Sequence, residues 1–213
     1  MAEKPILFSG EMVRAILNGR KTQTRRVVVP QPVIKNGWAE WGWEIVGGQK
    51  SGRPRRCFWH DDTWRREQNT APIDEYCPYG QPGDLLWVRE TWSDNIRGCP
   101  NGLTYRADHL NPKGDGPAIV KWRPSIFMPR WASRITLRVC DVRVERLQGI
   151  NEADAQQEGW YFQNHDLSKR YDPVTMDTAR QWFGGLWDSI NAKRGYGWDT
   201  NPWVWVVSFE LVR

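Results

Sequence analysis

The sequence predicts an α+β fold in which several strands form a barrel flanked by two or three short helices. Three observations support this fold class. Apolar runs of strand character are spread along the 213 residues, and the longest are 135–144 and 203–211. Apolar residues recur at helical spacing behind Ser9 and again in 175–193. No internal repeat is present, so the chain length suits one domain, with or without a large insertion.

The first thirty residues contain a strand, a helix and a second strand. Residues 5–8 are a short apolar run, which predicts the first strand. Ser9 is a good N-cap, and apolar residues follow it at helical spacing: Met12, Val13, Ile16 and Leu17. Gly19 is placed to end this helix in a left-handed conformation. Alternating residues from 22 to 29 then predict a strand, which Pro30 and Pro32 close.

Two stretches differ in composition from the rest of the chain and are interpreted as insertions. Residues of about 31–78 are rich in Gly, Trp, Arg and Gln, with short strands expected at the tryptophans 38, 41 and 43 and at 45–46. Residues of about 93–130 look rich in loops. We therefore predict a single domain over 1–213 that carries both insertions.

The remaining elements follow in order. Residues 85–88 predict a strand, and 135–144 predict the longest strand, with five residues facing inward: Ile135, Leu137, Val139, Val142 and Val144. Residues 151–159 predict a short helix that begins at an Asn cap and ends at a glycine. Residues 175–193 predict an amphipathic helix whose apolar stripe, ending at Ile190, packs on the barrel. Residues 203–211 predict a final buried strand.

Charge and composition indicate the class of partner and the compartment. The formal net charge of +5 favours anionic partners, nucleic acid above all, and a few of the 15 tryptophans are suited to stacking on bases. No apolar run reaches the length of a membrane span, so no membrane partner is expected. The N-terminus lacks the pattern of a signal peptide, so we expect a cytoplasmic protein.

Cysteine and histidine give a weak metal signal. Cys57 and His60, with Cys77 and Cys99 downstream, could supply four zinc ligands, but their spacing fits no compact zinc template. Ordinary thiols are the preferred interpretation, and no metal or cofactor is expected. His60, His109 and His165 lie in loop-like stretches, where surface positions are expected.

The segment 19–26, Gly-Arg-Lys-Thr-Gln-Thr-Arg-Arg, joins the first helix to the second strand. Along a strand, Thr22, Thr24 and Arg26 would share one face, and Lys21 could lean toward it. A Thr hydroxyl becomes a nucleophile when a base removes its proton, and a buried Lys of lowered pKa can be that base. An Arg can hold a carboxylate, a phosphate or a base edge. The alternative is an ordinary exposed strand rich in these residues.

This segment, with Ile16 before it, closely resembles the Gly-x-Lys-Thr-x-Thr-x-Arg signature of ASCH domains. Three further blocks resemble the same family in the same order: Gly83 to Val88, Leu137 to Gly159 and Trp203 to Leu211. The stretch 79–90 also resembles long, Trp-rich ASCH proteins that bacteriophages and prophages often encode.

The resemblance implies a PUA-like β-barrel with a cleft for nucleic acid or a nucleoside. The small bacterial members that are best understood are amidohydrolases of N4-acetylcytidine, with a Thr nucleophile, a Lys base and a Glu proton donor. Carried over by motif, these are Thr24, Lys21 and Glu158, with Glu152 as the alternative carboxylate. The two insertions roughly double the length of those enzymes and leave the substrate open.

Further residues are expected to bind substrate. Arg26 would orient the base, Trp87 would stack on it, and Arg89 and Glu90 would form a buried ion pair near the cleft mouth. Three alternatives remain open. The first is a nucleic-acid-binding module without catalysis, whose arginines would meet phosphates: Arg25, Arg26, Arg53, Arg55 and Arg56. The others are a ribonuclease and a phage protein that binds a host protein through the insertions.

Overall fold

The structure is a computed structural model of the whole chain. It describes residues 1–35, 38–46, 49–60, 63–65, 76–94, 102–109, 120–160 and 178–212. From 34 to 65 it describes the backbone alone.

Eleven strands and three α-helices are present in the described residues. The strands are β1 (Glu3–Leu7), β2 (Gln23–Val27), β3 (Val33–Lys35), β4 (Trp38–Val46), β5 (Gln49–His60), β6 (Thr63–Arg65), β7 (Leu85–Arg89), β8 (Trp92–Ser93), β9 (Thr104–Tyr105), β10 (Thr136–Arg146) and β11 (Trp203–Val212). The helices are α1 (Gly10–Leu17), α2 (Glu152–Gln157) and α3 (Ala179–Asn191). The predicted α+β class is confirmed.

Five strands form the main sheet, in the order β1-β7-β10-β11-β2. β1 pairs with β7 in parallel, and the other neighbours are antiparallel. β1 and β2 are the two edges and do not pair with each other, so the sheet does not close into the barrel that the sequence led us to expect.

A side chain connects the two edge strands, β1 and β2, at the place where a closed barrel would have backbone hydrogen bonds between them. The Arg26 guanidinium on β2 donates from Nη2 to the Leu7 carbonyl oxygen on β1, at 2.6 Å. It also lies over the Phe8 ring, with its Cζ 5.2 Å from the ring centroid. A guanidinium separates two backbones much more than a ladder hydrogen bond does, so it leaves a gap between the edges.

A β-bulge in the long strand β10 changes which residues face inward. Its pairing with β11 shifts register between Val139 and Asp141, at the exposed Cys140. A bulge adds one residue, so the buried positions change from odd to even numbers. The predicted inward set is therefore buried on both sides of the bulge: Ile135, Leu137, Val139, Val142 and Val144.

The helices begin at side-chain caps. Ser9 accepts from the Met12 amide at α1, and Thr178 forms a capping box with Gln181 at α3. The α3 stripe packs Phe183 and Trp187 into a core cluster with β11, but Ile190 is 45% exposed, which corrects its predicted burial. No described helix has both the length and the apolar character to cross a membrane.

The two insertions contain more regular structure than their composition predicted. In the first, β3 to β6 form a separate four-stranded antiparallel sheet, in which β4 and β5 have nine and twelve residues. In the described part of the second, β8 pairs with β9, and the buried side chains of Trp92, Met128 and Ala132 form a small cluster. This insertion touches α1, where Arg14 donates to the Ala107 carbonyl oxygen at 3.1 Å.

Candidate functional site

A cavity of about 560 Å³ lies in the gap between the edge strands β1 and β2. Strand residues 5–7 and 24–27 line it, and one side of α3 faces it through residues 183–191. Glu158, at the C-terminal end of α2, also lines it. A cavity of this volume suits a small-molecule ligand.

Lys21 and Glu158 form a buried ion pair beside this cavity. The Lys21 ammonium donates to Glu158 Oε2 at 2.6 Å and to the Glu158 carbonyl oxygen at 2.9 Å. The Lys21 side chain is 0% exposed and that of Glu158 is 4% exposed. Glu158 lines the cavity. Lys21 is not among the lining residues and contacts Glu158 instead. The structure therefore brings together two of the three residues to which the sequence assigned catalysis.

The ends of α1 and α2 place this pair. Asn18 is the C-cap of α1, and the chain turns so that the Lys21 amide donates to the Ala15 carbonyl oxygen at 3.0 Å. Glu158 is the C-cap of α2, and Gly159 follows with a φ of +105°. Lys21 and Glu158 are also joined as a backbone bridge, so both side chains leave neighbouring points of the main chain.

Gly159→Ala is expected to destabilise the protein by about 1–3 kcal/mol, because this positive φ is unfavourable for residues with a Cβ. The new Cβ would also lie 3.1 Å from the Cβ of Ala15 and 3.4 Å from that of Lys21. Urea unfolding of the variant measures the loss. Gly185→Ala is the control, since a Cβ there meets nothing within 4 Å and alanine favours the helix. Equal stability of the two variants would contradict the expectation.

Thr24 lies on the wall of the cavity that Glu158 also lines. It is 2% exposed, and its hydroxyl has no hydrogen-bond partner among the residues that the structure describes. Thr22, which was expected to share its face, lies just before β2, is exposed and is not among the residues that line this cavity. Thr24 is thus the threonine of the motif that lines this cavity.

Arg25 is a site residue that sequence reasoning placed elsewhere. The alternative of a nucleic-acid-binding module assigned it to phosphate binding, but its side chain is 0% exposed and donates to Glu158 Oε1 at 3.3 Å. It also bonds to three other side chains: Gln23, Glu145 and Asp154. Strand alternation gave a partial signal, because it predicts that Arg25 leaves the strand on the opposite face from Thr24 and Arg26, although all three residues line the cavity. Arg25 therefore orients Glu158 rather than meeting solvent.

Burial shifts the proton equilibria of the site. It lowers the pKa of the Lys21 amine, against the opposing effect of Glu158. It also lowers the pKa of Arg26, against the effects of Tyr79 and Glu158, and it raises the pKa of the Tyr79 phenol, which Arg26 partly offsets. Each of these shifts favours the uncharged form, as expected where water is largely excluded.

Two of the four residues expected to bind substrate line the cavity: Arg26 and Arg89. Trp87 is buried and does not line it; its ring instead stacks under the Arg89 guanidinium, whose Cζ is 4.7 Å from the ring centroid.

The predicted Arg89–Glu90 ion pair is wrong. Glu90 is 1% exposed and bonds Arg134 at 2.9 and 3.1 Å. Consecutive residues of a strand point to opposite faces, which separates Glu90 from its neighbour Arg89. Burial raises the pKa of Glu90, and Arg134 offsets part of that effect.

Glu152, the alternative carboxylate, has a structural role. Its two oxygens accept from the Ala179 and Arg180 amides, at 2.6 and 3.2 Å, where α3 begins. A carboxylate at a helix N-terminus satisfies free amides and complements the helix dipole. Glu152 is also not among the residues that line the cavity, so Glu158 is the better candidate.

The metal hypothesis falls largely outside the described residues. Cys99 and His165 lie there, and the side chains of Cys57 and His60 are not described. Cys77 is buried, and His109 contacts Thr104 and the Trp122 ring. Among the described residues no group of three or more His, Cys, Asp or Glu side chains is placed to hold a metal ion.

Comparison of the chain with protein-family models, with curated proteins and with solved structures gave no match. The function proposed below therefore depends on the chemistry of the cavity and on the motif resemblance.

Proposed function

We propose that the chain is an ASCH-type, PUA-like amidohydrolase that removes an acyl group from a modified nucleobase of the N4-acylcytidine type. The observation that carries this proposal is the buried Lys21–Glu158 pair at 2.6 Å, next to a cavity that Thr24 also lines. In this proposal the five-stranded sheet corresponds to the PUA-like barrel, and the gap between β1 and β2 is its ligand cleft.

The first half of the reaction forms an acyl-enzyme. The neutral Lys21 amine takes the Thr24 proton while the Thr24 oxygen attacks the acyl carbon of the substrate. The carboxyl group of Glu158 then gives its proton to the exocyclic nitrogen, the C–N bond breaks and the free base leaves. The acyl group remains on Thr24 as an ester.

The second half returns the residues to their starting states. Glu158, now a carboxylate, takes a proton from a water molecule that attacks the ester. Lys21 returns its proton to the Thr24 oxygen as the carboxylic acid departs. The Arg26 guanidinium, which lines the cavity, would stabilise negative charge on the tetrahedral intermediates.

The charged form of the pair is the form that the proton transfers create. After acylation Lys21 is an ammonium and Glu158 is a carboxylate, and this carboxylate also accepts from Arg25 at 3.3 Å. Before acylation the proton has to lie on Glu158, and the lowered pKa of the buried Lys21 amine favours that state. The short Nζ–Oε2 bond lets the proton move without any rearrangement of side chains.

A second candidate function is nucleic-acid binding without catalysis. It is favoured by three arginines on the cavity wall besides Arg25: Arg26, Arg89 and Arg194. Such a module would bind RNA or DNA with a steep salt dependence and would leave acylated nucleosides intact. A ribonuclease would instead cut labelled RNA, and Lys21→Ala would stop the cutting. Binding of a host protein through the insertions remains a proposal that a pull-down tests.

The proposed activity is tested by incubating the protein with a panel of N4-acylated cytidines and following the loss of the acyl group by chromatography. We expect turnover of at least one member, because the cavity volume leaves room for acyl groups of different size. Cytidine and the matching carboxylic acid should appear in equal amounts. No turnover of any member would exclude the amidohydrolase.

A further inference from the structure

The wall of the cavity carries more positive than negative charge. Four arginines line it: Arg25, Arg26, Arg89 and Arg194. Glu158 is the one carboxylate among its described lining residues, and Lys21 already neutralises it. A neutral nucleoside would leave this excess of positive charge without a partner.

The arginines differ in how far the protein already satisfies them. Arg25 makes hydrogen bonds to four side chains through both terminal nitrogens, so that only its buried Nε lacks an acceptor in the described residues. Arg89 stacks on Trp87 but has no hydrogen-bond acceptor among the residues that the structure describes, and its buried Nε is unpartnered. Arg26 uses Nη2 on the Leu7 carbonyl, while its buried Nε has no acceptor in the described residues either.

Unpartnered guanidinium donors in a buried site are costly unless an acceptor arrives with the ligand. Arginine is well suited to phosphate, because its planar fork can donate two parallel hydrogen bonds to two oxygens. The contact with the Trp87 ring restricts the Arg89 guanidinium. Arg89 therefore loses less side-chain conformational entropy when the guanidinium binds an anion. The exposed Arg194 adds positive charge at the rim.

The mouth of the same cavity is apolar. Four of its lining residues expose much of their side chains although they are large and hydrophobic: Leu7 at 42%, Val29 at 64%, Tyr76 at 40% and Ile190 at 45%. Apolar surface suits the faces of a base and of a sugar. The cavity thus combines an apolar surface with guanidinium donors that need an anion.

From these features we infer that the cavity binds a nucleotide, and that Arg89 holds its phosphate group. The inference depends on the proposed function for the identity of the base, whereas the phosphate contact depends on Arg89. If a phosphate is bound, the substrate of the proposed hydrolysis is an N4-acylated cytidine nucleotide rather than the free nucleoside.

The test compares the binding of cytidine 5′-monophosphate and of cytidine by isothermal titration calorimetry. We expect the wild type to bind the monophosphate at least about tenfold more tightly, and Arg89→Gln to lose that preference. Arg89→Lys should keep part of it, since it retains the charge without the fork. Arg138→Gln is the matched control, because Arg138 is exposed, bonds Glu210 and does not line the cavity.

Binding is measured without turnover, so the outcome is independent of whether acyl groups are hydrolysed. Equal affinity for the two ligands, a preference that survives in Arg89→Gln, or no binding of either ligand at millimolar concentration would each overturn the inference. A short oligoribonucleotide is the last ligand whose binding is measured. Binding it much more tightly than the monophosphate would overturn the assignment to a mononucleotide and favour a polymer.

Discussion

Thr24→Ala is expected to reduce the hydrolysis of an N4-acylated cytidine by more than about a thousandfold, since it removes the nucleophile on which both halves of the reaction depend. The fold should be little affected, because the Thr24 hydroxyl makes no hydrogen bond within the described residues. The rate is measured by stopping the reaction at timed intervals and following the loss of the acyl group by chromatography. Circular dichroism and urea unfolding check that the variant is folded.

Thr22→Ala is the matched control for this variant. Thr22 belongs to the same motif, but it is exposed and is not among the residues that line this cavity. Its activity should stay within about twofold of the wild type, whereas Thr24→Ser should recover part of the lost rate. Equal turnover by Thr24→Ala and the wild type would remove Thr24 from the mechanism and leave the activity to be explained by other residues.

The pH dependence of the wild type tests the Lys21–Glu158 pair. In the reactive state the pair holds one proton, which lies on Glu158 while Lys21 is neutral. Raising the pH through the pKa of the Lys21 amine removes that proton and leaves Glu158 with none to donate, so the rate should fall. Burial lowers that pKa from the ordinary value of 10.5, so the midpoint of the fall should lie below 10.5. A rate that stays constant up to pH 10.5 would contradict the assignment of the buried pair as base and acid.

The sequence predicted local features of the fold well where one physical rule decided them. Ser9 and the apolar residues behind it specify α1, and the side-chain cap is present. The inward residues of β10 were also predicted correctly, although Cys140 interrupts their alternation. Local patterns depend on neighbours in the chain, which the sequence shows directly.

The pairing of the strands could not be predicted from the sequence. Whether β1 meets β2 depends on the twist of five strands and on the Arg26 side chain between the edges, and no local pattern encodes either. Short strands were expected at the tryptophans 38, 41 and 43 and at 45–46, but the length of β4 and β5 and the pairing of β3–β6 into a separate sheet were missed for a related reason. Its sequence is rich in Gly, Trp and Arg, and these residues gave no clear alternation to indicate long strands.

The candidate site was only partly accessible to sequence reasoning. Glu158 lies 137 positions after Lys21, so only the motif resemblance connected the two. Strand alternation could have shown that Arg25 faces away from Thr24, but its partners on β10 and α2 could not be named. Trp87 was chosen because aromatic rings stack on bases, yet its neighbour in the structure is Arg89.

Removing one member of the Lys21–Glu158 pair is expected to destabilise the protein by about 3–5 kcal/mol, because the remaining charge stays buried with too few partners. In Lys21→Met, Arg25 is the one cationic contact that Glu158 keeps among the residues that the structure describes. In Glu158→Leu, the Lys21 amine loses its side-chain acceptor in a space where it is 0% exposed. Urea unfolding at neutral pH measures both variants.

The double variant Lys21→Met/Glu158→Leu should be less destabilised than the sum of the single variants, since it leaves no ammonium–carboxylate pair to separate. Arg138→Met supplies the comparison. Its ion pair with Glu210 has a similar distance of 2.8 Å, but its side chains are 50% and 56% exposed, so its loss should cost about 0–1 kcal/mol. If Lys21→Met costs no more than Arg138→Met, the pair is not a buried ion pair in solution. The proton transfers proposed between Thr24, Lys21 and Glu158 would then have no structural basis.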